Sequence, residues 1–297
     1  MHWFSSFATF LQVFVNGVFL GCMYGVAAIG LSLVFGCMQI VFIAQGAVMI
    51  LAAYCIFWMV TFTPLSPFWG FLFIIPVFIG FGFAMYTGLF QRVAKAGQNP
   101  SLLLAFGLMV LLEHLMAFFF SSDYRTVKTK YATTALGLGG VTFSVNRIII
   151  AVVALVATGL VFLFLKKTIL GKAVRAVSED MGAAALLGMR PEWVSAVTFS
   201  IGIALAGVAG VATCVIFPFD PYFGFIFSLK ALIAVAFGGL GSVGGVLLGG
   251  VILGVLESVS AYTIGGGWAD AVAYAAFLLV LIFRPEGLLG RRVGEKA

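Results

Sequence analysis

Between Met1 and Gln91 the chain contains no aspartate, glutamate, lysine or arginine. The apolar runs in this segment and beyond reach the roughly 20 residues that an α-helix needs to cross a bilayer. Of the 297 residues, 63% are hydrophobic and only 9% are charged, too few to cover the surface of a soluble domain. A β-barrel would show short segments of alternating polarity instead. The sequence therefore predicts an all-α, polytopic transmembrane helical bundle.

Turns rich in glycine, proline or charge divide the chain into apolar segments, from which we predict eight to ten spans. The first segment is long enough for one tilted helix or for two pieces broken near Gly21. Another, Ile226–Phe237, is too short to cross comfortably, and glycines at 238–242 interrupt it. The predicted segments are Ala8–Phe35, Gln39–Thr61, Phe68–Phe90, Ser101–Phe120, Arg147–Leu165, Trp193–Phe217, Ile226–Phe237, Val243–Ala261 and Trp268–Phe283.

The basic residues indicate how the bundle is oriented. They flank the spans, so the net charge of +6 is interpreted as membrane topology and not as a nucleic-acid footprint, and we expect no nucleic-acid partner. If these clusters face the cytoplasm, the C-terminus is cytoplasmic. The clusters are Arg92 with Lys95, Lys166 with Lys167, Lys172 with Arg175, and Arg291 with Arg292.

Glycine recurs every four residues at both ends of the chain, which predicts how the spans pack. Gly17, Gly21 and Gly25 form one series; Gly241, Gly245 and Gly249 form a second, followed by Gly250 and Gly254. Small residues at this spacing share a helix face and let two backbones approach closely. The faces are either tight structural contacts or surfaces that slide during transport. Paired interrupted spans also point toward a substrate route.

Polar residues inside apolar segments are the candidates for a translocation pathway. Glu113 lies near the middle of its span, so it should face protein or water, as a functional carboxylate or as a structural, hydrogen-bonded one. Lys230, Glu257 and Asp270 lie nearer span ends, from which we expect them to reach the interface. The pathway candidates are Asn16, Gly17, Gly21, Tyr24, Gln45, Glu113, Gly239, Gly241 and Ser242.

One long charged, helix-prone stretch, Leu170–Pro191, stands out from this apolar background. We predict a short amphipathic helix over Gly171–Gly188, ended by Gly188 and not continued through Pro191. Such a helix between two spans suits insertion into a groove on another protein. The alternative is a helix that lies on the membrane surface.

The chain lacks the sequence elements of an ATPase or of any other enzyme. Gly171-Lys172 has no glycine at the upstream position that a phosphate-binding loop requires. Zinc-ligand spacing and a nucleophile elbow are also absent from the sequence, so we expect no catalytic residues, no metal and no cofactor. An active transporter of this kind must take its energy from a partner or from an ion gradient.

Several runs in order along the chain resemble the branched-chain amino acid ABC transporter permeases of the LivH type. The resemblance covers essentially the whole chain. The runs are NGVFLGCMYGVAAIGLSLVFG, AFGLMVLLEH, GKAVRAVSEDMGAAALLGM with VTFSIGIALAGVAG, FDPYFGF, LKALIAVAFGGLGSVGGVLLGGVILG and FRPEGLLGRR.

This resemblance implies one permease domain, residues 1–297, in a prokaryotic plasma (inner) membrane, with a cytoplasmic coupling segment at about 168–191. It implies a second related permease, two cytoplasmic ATP-binding subunits that bind the ATP, and an extracytoplasmic solute-binding protein. It also implies branched-chain or related amino acids as the solute. The residues that it assigns to contact with the ATPase are Arg175, Glu179, Asp180, Ala184 and Gly188.

Two alternatives remain open at this point. A permease for urea or short amides would belong to the same family. An ion-coupled secondary transporter would instead use Glu113 or Glu257 to couple transport to an ion gradient.

Overall fold

Eight helices among the described residues are long and apolar enough to cross a membrane. The protein is described by a computed structural model, which covers residues 2–63, 65–94, 97–127, 129, 135–138, 141–239, 242–284 and 287. The predicted polytopic bundle is confirmed. The spans are Thr9–Met38, Gln45–Phe62, Pro67–Val93, Asn99–Phe120, Val145–Lys167, Pro191–Ile216, Val243–Thr263 and Gly266–Phe283.

The regular elements follow the predicted segments closely. Helices α3 and α4 belong to one span, joined by a π-helical turn at Tyr86–Phe90. The elements are α1 His2–Met38, α2 Gln45–Phe62, α3 Gly70–Met85, α4 Gln91–Val93, α5 Gln98–Phe120, β1 Ala135–Leu138, β2 Val141–Ser144, α6 Val145–Lys167, α7 Ile169–Glu179, α8 Met181–Leu186, α9 Pro191–Ile216, α10 Gly224–Gly238, α11 Val243–Thr263 and α12 Ala269–Phe283.

The first apolar segment is one helix. α1 continues through Gly21 without a break, which decides between the two alternatives left by the sequence. Glycine in this helix allows a neighbouring helix to approach closely, because a Cβ at Gly21 would overlap the backbone of Val251 in α11. The packing of α11 therefore offsets the low helix propensity of glycine.

Helices α1 and α9 form the centre of the bundle, and both are mostly buried. Helices α2, α10 and α11 pack directly against them. The outer helices α3, α5, α6 and α12 expose many large apolar side chains. Since lipid is as apolar as these side chains, such exposed faces are expected on a membrane-embedded bundle.

The long polar connection after α5 contains a small antiparallel hairpin, β1–β2, which the sequence did not predict. Its register pairs Ala135 with Ser144 and Leu138 with Val141. The start of the same connection is tied to the segment after α9, because Arg125 and Phe219 exchange backbone hydrogen bonds of 2.9 and 3.0 Å. This end of the bundle is thus closed by two joined connections.

Two helices begin inside the bundle. At the start of α2, Gln45 Nε2 donates to the carbonyls of Ala27, at 3.3 Å, and Gly202, at 3.5 Å, which are interior positions of α1 and α9. The start of α10, Gly224, lies against Gly46 of α2. The connections 39–44 and 217–223 therefore fold back into the protein before these helices begin.

Candidate functional site: the helical elbow and the buried polar clusters

Helices α7 and α8, residues Ile169–Leu186, form an elbow between α6 and α9. Each helix has its own N-cap: Thr168 Oγ1 accepts from Gly171 N at 2.9 Å, and Asp180 Oδ1 accepts from Ala183 N at 2.9 Å. The prediction of one helix over Gly171–Gly188 is therefore wrong. Asp180 has an extended backbone that ends α7, and its side chain starts α8.

The far end of the elbow is fixed by glycine, as predicted. Gly188 has a φ of +82°, a conformation that side chains disfavour. Met189 N donates to Ala184 O at 3.2 Å and Gly188 N donates to Ala185 O at 3.0 Å, which is the Schellman pattern of helix termination. Pro191 then opens α9.

The inner face of the elbow is apolar and buried. Val174, Val177 and Ala184 pack with Cys37 of α1 and Val194 of α9 in a small cluster separate from the main core. Ala184 therefore holds the elbow to the bundle and presents no surface to a partner. The other residues assigned to ATPase contact are exposed; they are Arg175, Glu179, Asp180 and Gly188.

The outer tip of the elbow is also apolar. Leu186 is 91% exposed and Leu187 is 78% exposed, and Met181 adds to the same short helix. These two exposed leucines lie next to the turn at Gly188 and form a compact apolar surface, which we call the elbow tip (Leu186–Gly188). A rigid apolar tip suits burial in a groove of another protein.

A cavity of about 580 Å³ separates the elbow from the body of the bundle. Three acidic residues, Glu179, Asp180 and Glu192, are among those that line it. On the bundle side, Gln91 Nε2 donates to Glu192 Oε2 at 2.7 Å. Beside the small apolar cluster that joins α7 to α1, this cavity leaves unfilled space between the elbow and the bundle.

The starts of α2 and α10 meet at a helix crossing. Ser228 Oγ donates to Ile43 O at 2.6 Å and accepts from Gly46 N at 2.8 Å. A Cβ at Gly46 would overlap the carbonyl of Gly224, so only glycine fits there. Helix ends that meet inside a bundle are a feature of substrate routes in transporters. The pathway candidate Gln45 lies beside this crossing.

Glycines join α1 to α11 along a seam. A Cβ at Gly21 would lie 2.6 Å from Gly250 O, and one at Gly254 would lie 2.5 Å from Gly17 O. The predicted close approach of backbones is confirmed for this series. Asn16, another pathway candidate, is half-buried on α1 next to Gly17.

The glycines of the second series lie on two faces of α11. A Cβ at Gly245 would overlap Gly238 of α10, and a Cβ at Gly249 would overlap Ala234 of the same helix. Gly250 and Gly254 face α1 instead.

Between these helices, Gly239 ends α10 with a φ of +78°, and Ser242 Oγ caps α11 by accepting from Gly245 N at 3.1 Å. The pathway candidates Gly239 and Ser242 therefore form a helix break. Gly241 lies outside the described residues.

Three intramembrane charges meet in one ion cluster. Lys230 Nζ lies 2.8 Å from Glu257 Oε1 and 2.9 Å from Asp270 Oδ1, and it donates to the Tyr24 hydroxyl at 3.2 Å. The expectation that these charges reach the interface is wrong for Lys230 and Glu257, whose side chains are only 7% and 15% exposed, whereas the Asp270 side chain is 48% exposed. α10 begins inside the protein, so Lys230 is enclosed between α1, α11 and α12. Opposite charges on successive apolar segments were the signal for this pairing.

Glu113 is buried on α5, an outer helix that packs mainly on α2. The pathway candidates therefore do not converge on one site. They occupy the seam (Asn16, Gly17, Gly21), the ion cluster (Tyr24), the crossing (Gln45), the α10–α11 break (Gly239, Ser242) and α5 (Glu113).

The eight apolar spans found in the described part of the chain, together with two helices that begin inside the bundle and an external elbow, define a polytopic membrane transport subunit. The family model described as branched-chain amino acid transport system / permease component matches residues 13–281. The chain belongs to this family of transport permeases, which are not themselves enzymes.

Relatives match over nearly their whole length. The chain is 32% identical to the high-affinity branched-chain amino acid transport system permease protein BraD of Pseudomonas aeruginosa, over 97% of this chain and 98% of that protein. It is 30% identical to LivH of Escherichia coli K12, which carries the same description, over 98% and 99%. It is 25% identical to a probable branched-chain amino acid permease LivH of Methanocaldococcus jannaschii, over 89% and 87%. No solved structure matches the chain.

Proposed function

We propose that this permease carries branched-chain amino acids through the prokaryotic plasma (inner) membrane and that ATP hydrolysis in partner subunits drives it. The names of the relatives support the solute, and the family supports an assembly with further components. The proposed partners are a second related permease, two cytoplasmic ATP-binding subunits and an extracytoplasmic solute-binding protein.

The charge distribution supports a cytoplasmic elbow. Basic residues gather at this end of the bundle, at Lys166, Lys167, Lys172, Arg175 and Arg190. Basic residues favour the cytoplasmic side of a membrane. The further basic residues Lys95, Arg291 and Arg292 lie outside the described residues.

The last helices place the C-terminus on the same side. α11 runs antiparallel to α1, with Gly254 beside Gly17 and Leu247 beside Gly25, so α11 starts toward the elbow end. α12 returns in the opposite direction. Gly287, beyond the end of α12, lies against Gly239, which precedes α11. A cytoplasmic elbow therefore implies a cytoplasmic C-terminus.

The observation that carries the proposal is the elbow tip. A groove on an ATP-binding subunit would bury Leu186 and Leu187, and Arg175, Glu179 and Asp180 would lie at its polar rim. Movement of the ATP-binding subunit would then push on α7 and α8, which the cavity leaves room to shift. Through Val174, Val177 and Ala184 the movement would reach α1 and α9, the centre of the bundle.

The test replaces Leu186 and Leu187 together by alanine. We expect at least a tenfold loss of ATPase subunit recovered with the affinity-tagged permease, since this change removes most of the proposed apolar contact. Ile169→Ala is the matched control, because Ile169 is equally exposed at the opposite end of the elbow. The control should retain the ATPase.

Uptake measurements in proteoliposomes complete the test. ATP-dependent leucine uptake that disappears in the double variant supports the proposal, provided the variant elutes as a folded protein. Full ATPase recovery in the double variant would overturn the docking surface. Uptake driven by an ion gradient without ATP, and abolished by Glu113→Gln, would establish the ion-coupled alternative.

A further inference from the structure

At the end of the bundle opposite the elbow, several buried polar atoms have no hydrogen-bond partner among the described residues. They include the hydroxyl of Tyr54, the indole Nε1 of Trp58 and Nε of Arg125, all of which can donate. Tyr54 is 1% exposed. Buried polar groups are normally paired, so donors left unpaired together need an acceptor.

These donors lie close to one another. Tyr54 and Trp58 are one turn apart on α2, and both pack on Phe120, at ring distances of 4.9 and 5.9 Å. Arg125 Nη2 donates to Phe120 O at 3.0 Å, which places the guanidinium beside the same residue. The backbone pairing with Phe219 holds Arg125 in this position. The donors are thus grouped around Phe120.

Two carboxylates lie near this group. Glu113 is 8% exposed, and its Oε1 is also without a hydrogen-bond partner among the described residues. Asp220 links the donors to Glu113, because it directly follows Phe219, whose ring packs on Tyr54, and because Tyr222 packs on His114, the neighbour of Glu113. The Asp220 Oδ1 atom accepts from Tyr222 N at 2.8 Å, and this hydrogen bond fixes the carboxylate.

Aromatic rings form the rest of the surroundings. Phe219 packs edge-on against Tyr54 at 5.0 Å, and the Arg125 guanidinium lies 5.3 Å from the centre of the Phe57 ring. These rings offer apolar contact to a hydrocarbon side chain. Unpaired donors, unpaired carboxylate and apolar rings in one place match the three parts of an apolar α-amino acid.

We propose that this cluster, Tyr54, Trp58, Glu113, Arg125 and Asp220, is a binding site for a zwitterionic, apolar α-amino acid entering the permease. The solute carboxylate accepts from Tyr54, Trp58 and Arg125. Its ammonium group donates to Glu113 and Asp220, and its side chain packs on the aromatic rings. The inference rests on the proposed function and adds the first contact of the solute with this chain.

The unpaired atoms argue for a ligand with both charges. An inorganic anion would satisfy the donors and leave Glu113 unpaired, and a simple cation would do the reverse. A zwitterion satisfies both sets without adding net charge to the site, which keeps the cost of burial low. Bound water is the competing explanation, and the experiment separates the two.

The experiment measures saturation-transfer NMR of L-leucine with the purified permease–ATPase complex in nanodiscs, without the solute-binding protein. Wild-type protein should transfer saturation to the leucine methyl groups. Tyr54→Phe, which removes only the hydroxyl, should weaken leucine binding about tenfold. Tyr262→Phe, an exposed tyrosine of α11, is the matched control and should bind like wild type.

Two leucine analogues report on the charged groups. 4-Methylpentanoate lacks the ammonium group and 3-methylbutylamine lacks the carboxylate, so both should bind wild type more weakly than leucine. Glu113→Gln should reduce the discrimination against 4-methylpentanoate, since the carboxylate that recognises ammonium is gone. Copurification of the ATPase with each variant verifies that the variant is folded.

Equal leucine binding by Tyr54→Phe, Tyr262→Phe and wild type would overturn the proposal and leave water as the partner of the unpaired atoms. Equal binding of leucine and both analogues to wild type would overturn it as well. This experiment measures leucine binding without transport, so its result does not depend on whether ATP or an ion gradient drives uptake. Leucine uptake without ATP would refute the proposed function and leave the binding result intact.

Discussion

Lys230 is buried between two carboxylates, and its two partners differ in their access to solvent. The side chain of Asp270 is 48% exposed, whereas that of Glu257 is 15% exposed. Asp270 can be solvated when the ion cluster is disturbed. Glu257 depends on Lys230, since a buried charge without a partner is strongly destabilising.

Replacing Lys230 by methionine tests this dependence. We expect the Lys230→Met variant to lose about 3–5 kcal/mol of stability, because Glu257 and Asp270 then repel each other without a cation between them. Thermal and denaturant unfolding in detergent micelles measures the loss. Lys167→Met, at an exposed lysine, should change stability by less than about 0.5 kcal/mol.

A second variant distinguishes lost charge pairing from lost packing. Adding Glu257→Gln to Lys230→Met should recover part of the stability, because the double variant removes the unpaired charge. A double variant that is no more stable than Lys230→Met would show that the cluster contributes through packing and not through its charges.

At the scale of helices, the α1–α11 seam rests on backbone contact at Gly21, so it should not tolerate a single methyl group there. Gly21→Ala would force the new Cβ against Val251 and Gly250. We expect a loss of about 1–3 kcal/mol, the usual result of overpacking a well-packed contact. The midpoint of thermal unfolding in detergent measures the loss.

Gly107→Ala on α5 is the matched control, since a Cβ at Gly107 meets no atom within 4 Å. This change should leave the midpoint unchanged or raise it, because alanine favours helix more than glycine does. An equal loss in both variants would mean that helix propensity, and not the seam, governs the effect.

The length of the apolar segments predicted nearly every helix from the sequence, but two helix boundaries depended on tertiary contacts. Whether Gly21 breaks α1 could not be decided, because glycine both weakens a helix and allows a close neighbour. The neighbour, α11, lies more than 200 residues away. The break at Asp180 was missed because aspartate fits either on a helix surface or at an N-cap.

At the scale of the whole molecule, the sequence named candidate residues but did not predict how the fold groups them. In soluble proteins the apolar face of a helix predicts its partner, but here nearly every face is apolar. Pairing therefore depends on side-chain shape and on small residues. Lys230, Glu257 and Asp270 could have been grouped by opposite charge. The unpaired atoms around Phe120 could not be grouped from the sequence, since Tyr54 and Trp58 lie on α2 whereas Arg125 lies in the connection after α5.

The two ends of the bundle should be accessible from opposite sides of the membrane. Ser178 on the elbow and Tyr124 in the connection after α5 are both exposed. In a chain whose native cysteines are replaced, Tyr124→Cys should react with an impermeant maleimide in intact cells. Ser178→Cys should react only after the membrane is opened. Labelling in the reverse order would contradict the proposed orientation.

The glycine seam also determines which sequence changes can compensate one another. At Gly25 the nearest obstacle to a side chain is Leu247 Cδ1, so shortening Leu247 can make room. At Gly21 the obstacles are backbone atoms of Gly250 and Val251, which no substitution removes. Related chains can therefore vary position 25 through paired changes, whereas position 21 can vary only if α1 and α11 move apart as whole helices.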